Sequence, residues 1–316
     1  MIREMKNTDP KVSVVVITYN HEKYIRECLN SIVTQQTDFP FEVLVHDDCS
    51  TDNTQEILKE YETKYPDIVR VLYEEENQYS KGNHTIFALM FPYARGEYIA
   101  LCEGDDYYND RQKLQIQYDT MKKYSDCHMC VHRVATIWEN GENSGISVPK
   151  SYHENQIIDS RDFISRIQYY EFQTSCYFFR TEDALKFINP LPKYVDCADV
   201  GDECYKLFFG NMGDVCYIEK TMTNHRAGSI GGWNSRTNGS KRVAHYRKMI
   251  DMMIEYNRYT NYKYDDICKK YILHQQYQIA VLSDDYKTLI SKEFRQYFKQ
   301  FGIKKKVKIL LKAFFR

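Results

Sequence analysis

The chain is defined first by what it lacks. No Gly-x-Gly-x-x-Gly follows its first apolar run, and no Gly-x-x-x-x-Gly-Lys-Ser/Thr occurs anywhere. Dinucleotide dehydrogenases and P-loop enzymes are therefore poor fits, since both hold phosphates in glycine-rich backbone cradles. No run approaches the ~18 apolar residues of a membrane-crossing helix. The polar start, Met1 to Asn7, has no apolar signal-peptide core, so a cytoplasmic location is expected. Net charge is −1, and nothing global argues for nucleic acid. The ten cysteines are scattered, which suits reduced thiols rather than a disulfide framework. Only Cys127-His128-Met129-Cys130 has a metal-like spacing. It lacks a second pair and lies in a strand-like segment, where residues three apart point to opposite faces.

What is present is an alternation of strands and helices. The 43% hydrophobic fraction of 316 residues supports one large domain or two modest ones. Lys11 to Thr18 is a continuous β-branched run, as in a buried parallel strand. Tyr24, Cys28 and Ile32 then fall on one helical face. Further strands are expected at Phe41–Val45, Ile68–Tyr73 and Tyr98–Cys102, with helices carrying Ile57, Leu58 and Tyr61 and spanning about Ile86–Tyr93. Ser50 or Thr51 can cap the first of these helices. This order predicts an α/β fold with a Rossmann-like, mostly parallel sheet.

Two of the strand ends carry paired aspartates, Asp47-Asp48 and Asp105-Asp106, and Tyr19 stands at a third. Carboxylates where parallel strands end face the crevice in which such sheets bind ligands. Glu103, Asp105 and Asp106 repel one another, so a divalent cation carrying a phosphate ester is the natural companion. An acidic turn capping the helix near Lys113 is the plainer alternative.

Val14–Asn20, Asp47–Thr54 and Gly96–Asp106, each after an expected strand, resemble the motifs of family 2 glycosyltransferases. These are inverting, metal-dependent enzymes of the GT-A fold that use nucleotide sugars. The resemblance is firm over residues 11 to 125 and extends to about 235. It implies that Ile17, Thr18 and Tyr19 line the base pocket. Asp48 would bond the base imide, which favours a UDP-sugar donor. Asp105 would lie at the ribose or metal, and Asp106 would be the principal ligand of Mn²⁺ or Mg²⁺. The role of Glu103 stays open, Asp47 is a helix-capping or functional residue, and Lys81 is a phosphate contact or merely solvated.

Further on, a helix pattern from Lys113 to Tyr124 precedes strand-like Met129–Ile137, a surface turn at 140–145 and a buried strand at Thr174–Arg180. Inverting transfer needs a carboxylate to take the acceptor hydroxyl's proton. Gly201-Asp202 matches the family's acid at a helix start, so Asp202 is the expected base, with Asp199 and Glu203 as alternates. All three also suit a helix N-terminus. Residues 224–233 read as a glycine-rich loop or lid in which Arg226 would neutralise the departing diphosphate and Trp233 would stack on a sugar. His225 stands where the family has a tyrosine, and its usual later histidine is missing.

A transferase domain over 11–235 is expected, followed by a helical extension over 240–316. Its last thirteen residues hold six cations and no acids. Residues 303–316 form a basic amphipathic pattern that can lie on an anionic membrane surface, such as the inner face of the cell membrane. It can equally pack on its own domain or on a second subunit as a homodimer. The expected activity is sugar transfer to a glycan or lipid-linked glycan, as in cell-surface polysaccharide synthesis. A non-catalytic nucleotide-sugar-binding module is the rival. A nucleotidyltransferase would need a basic, glycine-rich loop after the first strand, which is absent.

Overall fold

The run Val12–Thr18 forms strand β1 and is buried except at Ile17. A computed structural model of the chain describes residues 9–167, 171–229, 239–300 and 302–315. In chain order follow α1 (Ile25–Val33), β2 (Phe41–Asp47), α2 (Thr54–Lys64), β3 (Val69–Tyr73), β4 (Tyr98–Glu103), β5 (Tyr107–Tyr108) and α3 (Lys113–Lys123). Then come β6 (Met129–Trp138), β7 (Asn143–Val148), β8 (Gln156–Ile158), α4 (Ser160–Ser165), β9 (Phe178–Arg180), α5 (Thr181–Ile188), α6 (Gly201–Met212) and β10 (Val215–Ala227).

These elements build one sheet in the order β3-β2-β1-β4-β9-β6-β10-β5, with β7 beside β6 and β8 beside β10. The first four strands run parallel, with Ile17 opposite Glu103 and Thr18 opposite Asp47. Three carboxyl ends thus meet at one edge of the core. Helix α1 buries Ile25, Cys28, Leu29 and Ile32 at the spacing of an amphipathic helix. Beyond β4 the sheet becomes mixed, because β9 runs antiparallel to both β4 and β6.

Several local expectations change. Residues 86–93 make two 3-10 turns, Ile86–Leu89 and Phe91–Tyr93, rather than a helix, since Pro92 cannot continue one. Thr174–Cys176 is a 3-10 turn and only Phe178–Arg180 is strand. Of the turn expected over 140–145, only residues up to Glu142 connect β6 to β7, and residues 143–145 already belong to β7, with Gly141 and Gly145 at positive φ. Asn53, not Ser50 or Thr51, occupies the N-cap position of α2, and its side chain makes no cap bond. Asn224, His225 and Arg226 are not in a loop but in β10, where His225 pairs with Thr136 and Arg226 with Ile137 of β6. All ten thiols are free, Cys127 and Cys130 included.

The sheet-bearing unit comprises Met1–Pro192 and Val200–Ser235, and a second unit comprises Lys193–Asp199 and Arg236–Arg316. Residues 193–199, within the span expected for the transferase domain, thus cluster with the helices. The second unit holds α7 (Gly239–Tyr259), α8 (Asp265–Leu282), α9 (Tyr286–Leu289), α10 (Arg295–Gln300) and α11 (Ile303–Phe315). Tyr194 packs edge-on against Tyr256 and Tyr259. A smaller core gathers Tyr277, Ala280, Leu289, Phe294 and Ile309. No helix of the described residues is long and apolar enough to cross a membrane.

Candidate active site

The end of β4 turns sharply. The Gly104 amide donates to the Ile17 carbonyl (2.8 Å) and the Asp106 amide to the Glu103 carbonyl (2.9 Å). A Cβ on Gly104 would come within 2.9 Å of Thr18 and His21, so only glycine lets the acidic turn lie this close to the end of β1. Asp106 is 1% exposed. Its Oδ2 accepts from the Ser175 hydroxyl (2.6 Å), and its Oδ1 from the Arg226 amide (2.9 Å) and His225 Nδ1 (3.2 Å). The same Ser175 hydroxyl accepts from the Glu103 amide (3.1 Å). The β5–β10 pairing, with Asn224 opposite Tyr107, carries His225 to this place.

Glu103, Asp106 and His225 bring ligand atoms within 4.8 Å of one another, the arrangement among the described residues able to hold a metal ion. Asp105 is outside that set. It is partly exposed, and its carbonyl accepts from Arg226 Nε (3.0 Å). Burial and then the charges of Asp106 and Asp105 push the Glu103 carboxyl well above its ordinary range, and Asp202 adds to the effect. Burial is the largest influence and works against a charged His225, but the charge and hydrogen bond of Asp106, with Glu103 and Asp105 adding, together hold the imidazolium up to about 9. The turn therefore carries an excess of negative potential that one histidine does not neutralise.

Arg226, expected near the diphosphate, is engaged within the protein. Its guanidinium donates to Glu27 (2.6 Å) and to the carbonyls of Asp105 and Glu139 (both 3.0 Å), and lies 5.0 Å from the Tyr24 ring centre. These contacts tie the acidic turn to α1 and to Glu139 just beyond β6.

At the start of α6, a Cβ on Gly201 would lie 2.4 Å from the His84 carbonyl oxygen, so glycine seats the helix N-terminus on that loop. Asp202 keeps a third of its side chain exposed, with Oδ2 3.6 Å from Lys206 Nζ. Glu203 is buried and 3.4 Å from the same lysine. Burial first, and Asp202 next among the groups that raise it, bring its carboxyl up to about 7 against the opposing pull of Lys206. Asp199 accepts from His245 Nδ1 (2.6 Å) inside the helical unit. Of the three acids, Asp202 alone combines solvent access with a place whose charge reaches Glu103.

The other strand ends are satisfied differently. Asp47 Oδ2 accepts from the Ser50 amide (3.2 Å) and Gln55 Nε2 (2.6 Å), so it serves the turn into α2. Asp48 is 4% exposed and accepts from the amides of Gln78 (2.6 Å) and Tyr79 (3.1 Å). Thr18 Oγ1 is buried without a hydrogen-bond partner, while Ile17 and Tyr19 are half-buried beside it. Lys81 pairs with Glu76 in solvent. Trp233 and the glycines at 231 and 232 lie outside the described residues.

Residues 13–186 match the model of glycosyl transferase family 2. The chain belongs to that family. An uncharacterised protein of Mycobacterium tuberculosis is 32% identical over 257 residues, covering 77% of this chain and 68% of its own length. The poly(ribitol-phosphate) beta-N-acetylglucosaminyltransferase TarS of Staphylococcus aureus is 45% identical over 102 residues, 31% of this chain and 17% of that protein. A crystal structure of TarS with UDP-GlcNAc is 21% identical, covers 92% of this chain and 79% of that one, and gives a TM-score of 0.64. The mannosyltransferase PcManGT of Pyrobaculum calidifontis, in complex with GDP-Man and Mn²⁺, gives 0.52 at 16% identity over 98% of this chain and 87% of its own. The fold is GT-A, and this family 2 member is a glycosyltransferase with relatives in cell-wall polysaccharide synthesis.

Sequence reasoning missed two contributors. Ser175 carries no motif signal, and the role of His225, which stands in place of a tyrosine, stays open from sequence alone. Only the pairing of β10 with β5 and β6 shows what each does.

Proposed function

We propose that this enzyme transfers a hexosyl or N-acetylhexosaminyl group, with inversion, from a UDP-sugar to a glycan or lipid-linked glycan acceptor. The observation that carries the reading is the convergence of Glu103, Asp106 and His225 at the end of β4, with Asp202 in electrostatic reach. Two carboxylates and an imidazole suit Mn²⁺ better than Mg²⁺, which favours all-oxygen ligands. PcManGT was solved with Mn²⁺. When bound, such an ion offsets the charge that develops on the departing diphosphate.

The remaining work falls to side chains. Asp48 has lone pairs beyond those used by Gln78 and Tyr79, and these suit the N–H of a uracil imide. Thr18 Oγ1, unpartnered and buried, is available to a donor group, and Ile17 and Tyr19 supply apolar and aromatic walls. Asp105, partly exposed on the acidic turn, suits a ribose hydroxyl. Asp202 takes the acceptor hydroxyl's proton as that oxygen attacks the anomeric carbon, while the bond to the UDP oxygen breaks on the opposite face. Arg226 acts indirectly, holding Asp105 and Asp106 in place.

The test is release of UDP, GDP or CMP over a panel of nucleotide sugars, with Mn²⁺, Mg²⁺ or chelator, and with glycan acceptors. The reading expects one UDP-sugar to be turned over in an Mn²⁺-dependent way. Turnover of a GDP- or CMP-sugar alone would remove the uridine assignment, and undiminished turnover in chelator would remove the metal.

A further inference from the structure

The helix α11 is anchored on one side only. Ile309 and Ala313 are buried, Ile309 within the small core of the helical unit. At about 100° per residue, Ile303, Val307, Leu310 and Leu311 fall together within an arc of about 100° away from that anchored side. They are 80%, 49%, 38% and 53% exposed. Lys304 and Lys308, both exposed, run along one border of this stripe, and Lys306 stands on the other. No acidic residue occurs from Ile303 onward.

We infer that this face of α11 docks on an anionic lipid surface, with the four aliphatic side chains entering the headgroup boundary and Lys304 and Lys308 on lipid phosphates. An apolar stripe bordered by lysines on a helix lying flat is the pattern that binds such interfaces. Each basic residue near an anionic surface adds about 1 kcal/mol. Charge argues against a second copy as the occupant, because pairing two such faces sets lysine rows together with no acid to answer them. Four side chains also fall far short of the ~1,200 Å² that a stable protein interface buries. Lys304 and Lys308 also line a cavity of about 310 Å³ with Tyr286 and Leu289, but Asp284 shares it. The cavity is thus no anion pocket, and the lysines act as an exposed row. The inference does not depend on the donor or acceptor proposed above.

The test is sedimentation of the full chain with phosphatidylcholine vesicles, with and without about 30% phosphatidylglycerol, at low and high salt. Binding should require the anionic lipid and weaken with salt. Lys304→Glu/Lys308→Glu and, separately, Leu311→Asp should each lower partitioning at least about ten-fold while leaving thermal melting and UDP release to a water-soluble acceptor unchanged. Ile303→Asp, at the most exposed position, is the check should Leu311→Asp fail to fold. Equal binding to neutral vesicles, no binding, or a dimer that Leu311→Asp dissolves would each overturn the inference.

Discussion

Two acidic turns of this molecule look alike in sequence and behave as opposites. After β2, Asp47, Asp48 and Asp52 accept from groups no more than 31 positions away, although Asp47 Oδ1 is buried without a partner. Asp47 bonds the Ser50 amide and Gln55, Asp52 the amides of Glu22 and Thr54, and Asn20 and Glu22 tie the loop to the end of β1. After β4, Glu103, Asp105 and Asp106 face partners drawn from more than 60 positions away, Ser175, His225 and Arg226. Those partners orient the Asp106 carboxylate and hold the backbone of Glu103 and Asp105 without cancelling the charge. Acidity at a strand end thus says little by itself. What separates the two turns is how far along the chain the partners of their acids come from.

Changes at each turn, and at Asp202, the proposed base, test this contrast. Asp202→Asn should produce the largest loss, a fall in transfer of about 10²–10⁴ with donor binding retained by calorimetry; a fully active variant would remove it as base. Asp106→Asn should cost about 10²–10³ in turnover and abolish the Mn²⁺ dependence of donor binding. Ser175→Ala removes only an orienting hydroxyl, so apparent Mn²⁺ affinity should weaken by about 10–100-fold, read from the metal dependence of UDP release. Arg226→Lys cannot reproduce the forked contacts to Glu27 and the two carbonyls, and should lower stability by roughly 1–3 kcal/mol in denaturant unfolding. Asp52→Ala should be the mildest, about 1 kcal/mol of stability with turnover unaltered. If Asp52→Ala instead abolished turnover at normal stability, the contrast between the turns would fail.

Much of the first half was legible. β1 to β4 declare themselves by β-branched runs, and α1 and α2 by apolar spacing, because those patterns reflect burial against immediate neighbours in the chain. Glu103, Asp106 and Asp202 were visible as acids at element ends for the same reason. The helical unit was less readable. Val243, Tyr246, Ile250 and Met253 suggest one face of α7, yet of these only Met253 is buried, and the buried stripe runs through His245, Met249, Met252, Met253 and Tyr256. The face chosen depends on α8 and Lys193–Cys197, which the local pattern cannot anticipate.

The sequence by itself determined the parallel core, the acids at its carboxyl edge and the family. Those follow from short-range periodicity and from residue types whose chemistry does not depend on context. Tertiary structure alone decided which acids stay reactive. It took Asp47 into a turn, withdrew Arg226 into a clamp, and placed His225 and Ser175 beside Asp106. The physical reason is that a buried polar group is defined by the partner that satisfies it, and across a mixed sheet that partner comes from a strand far away in the chain.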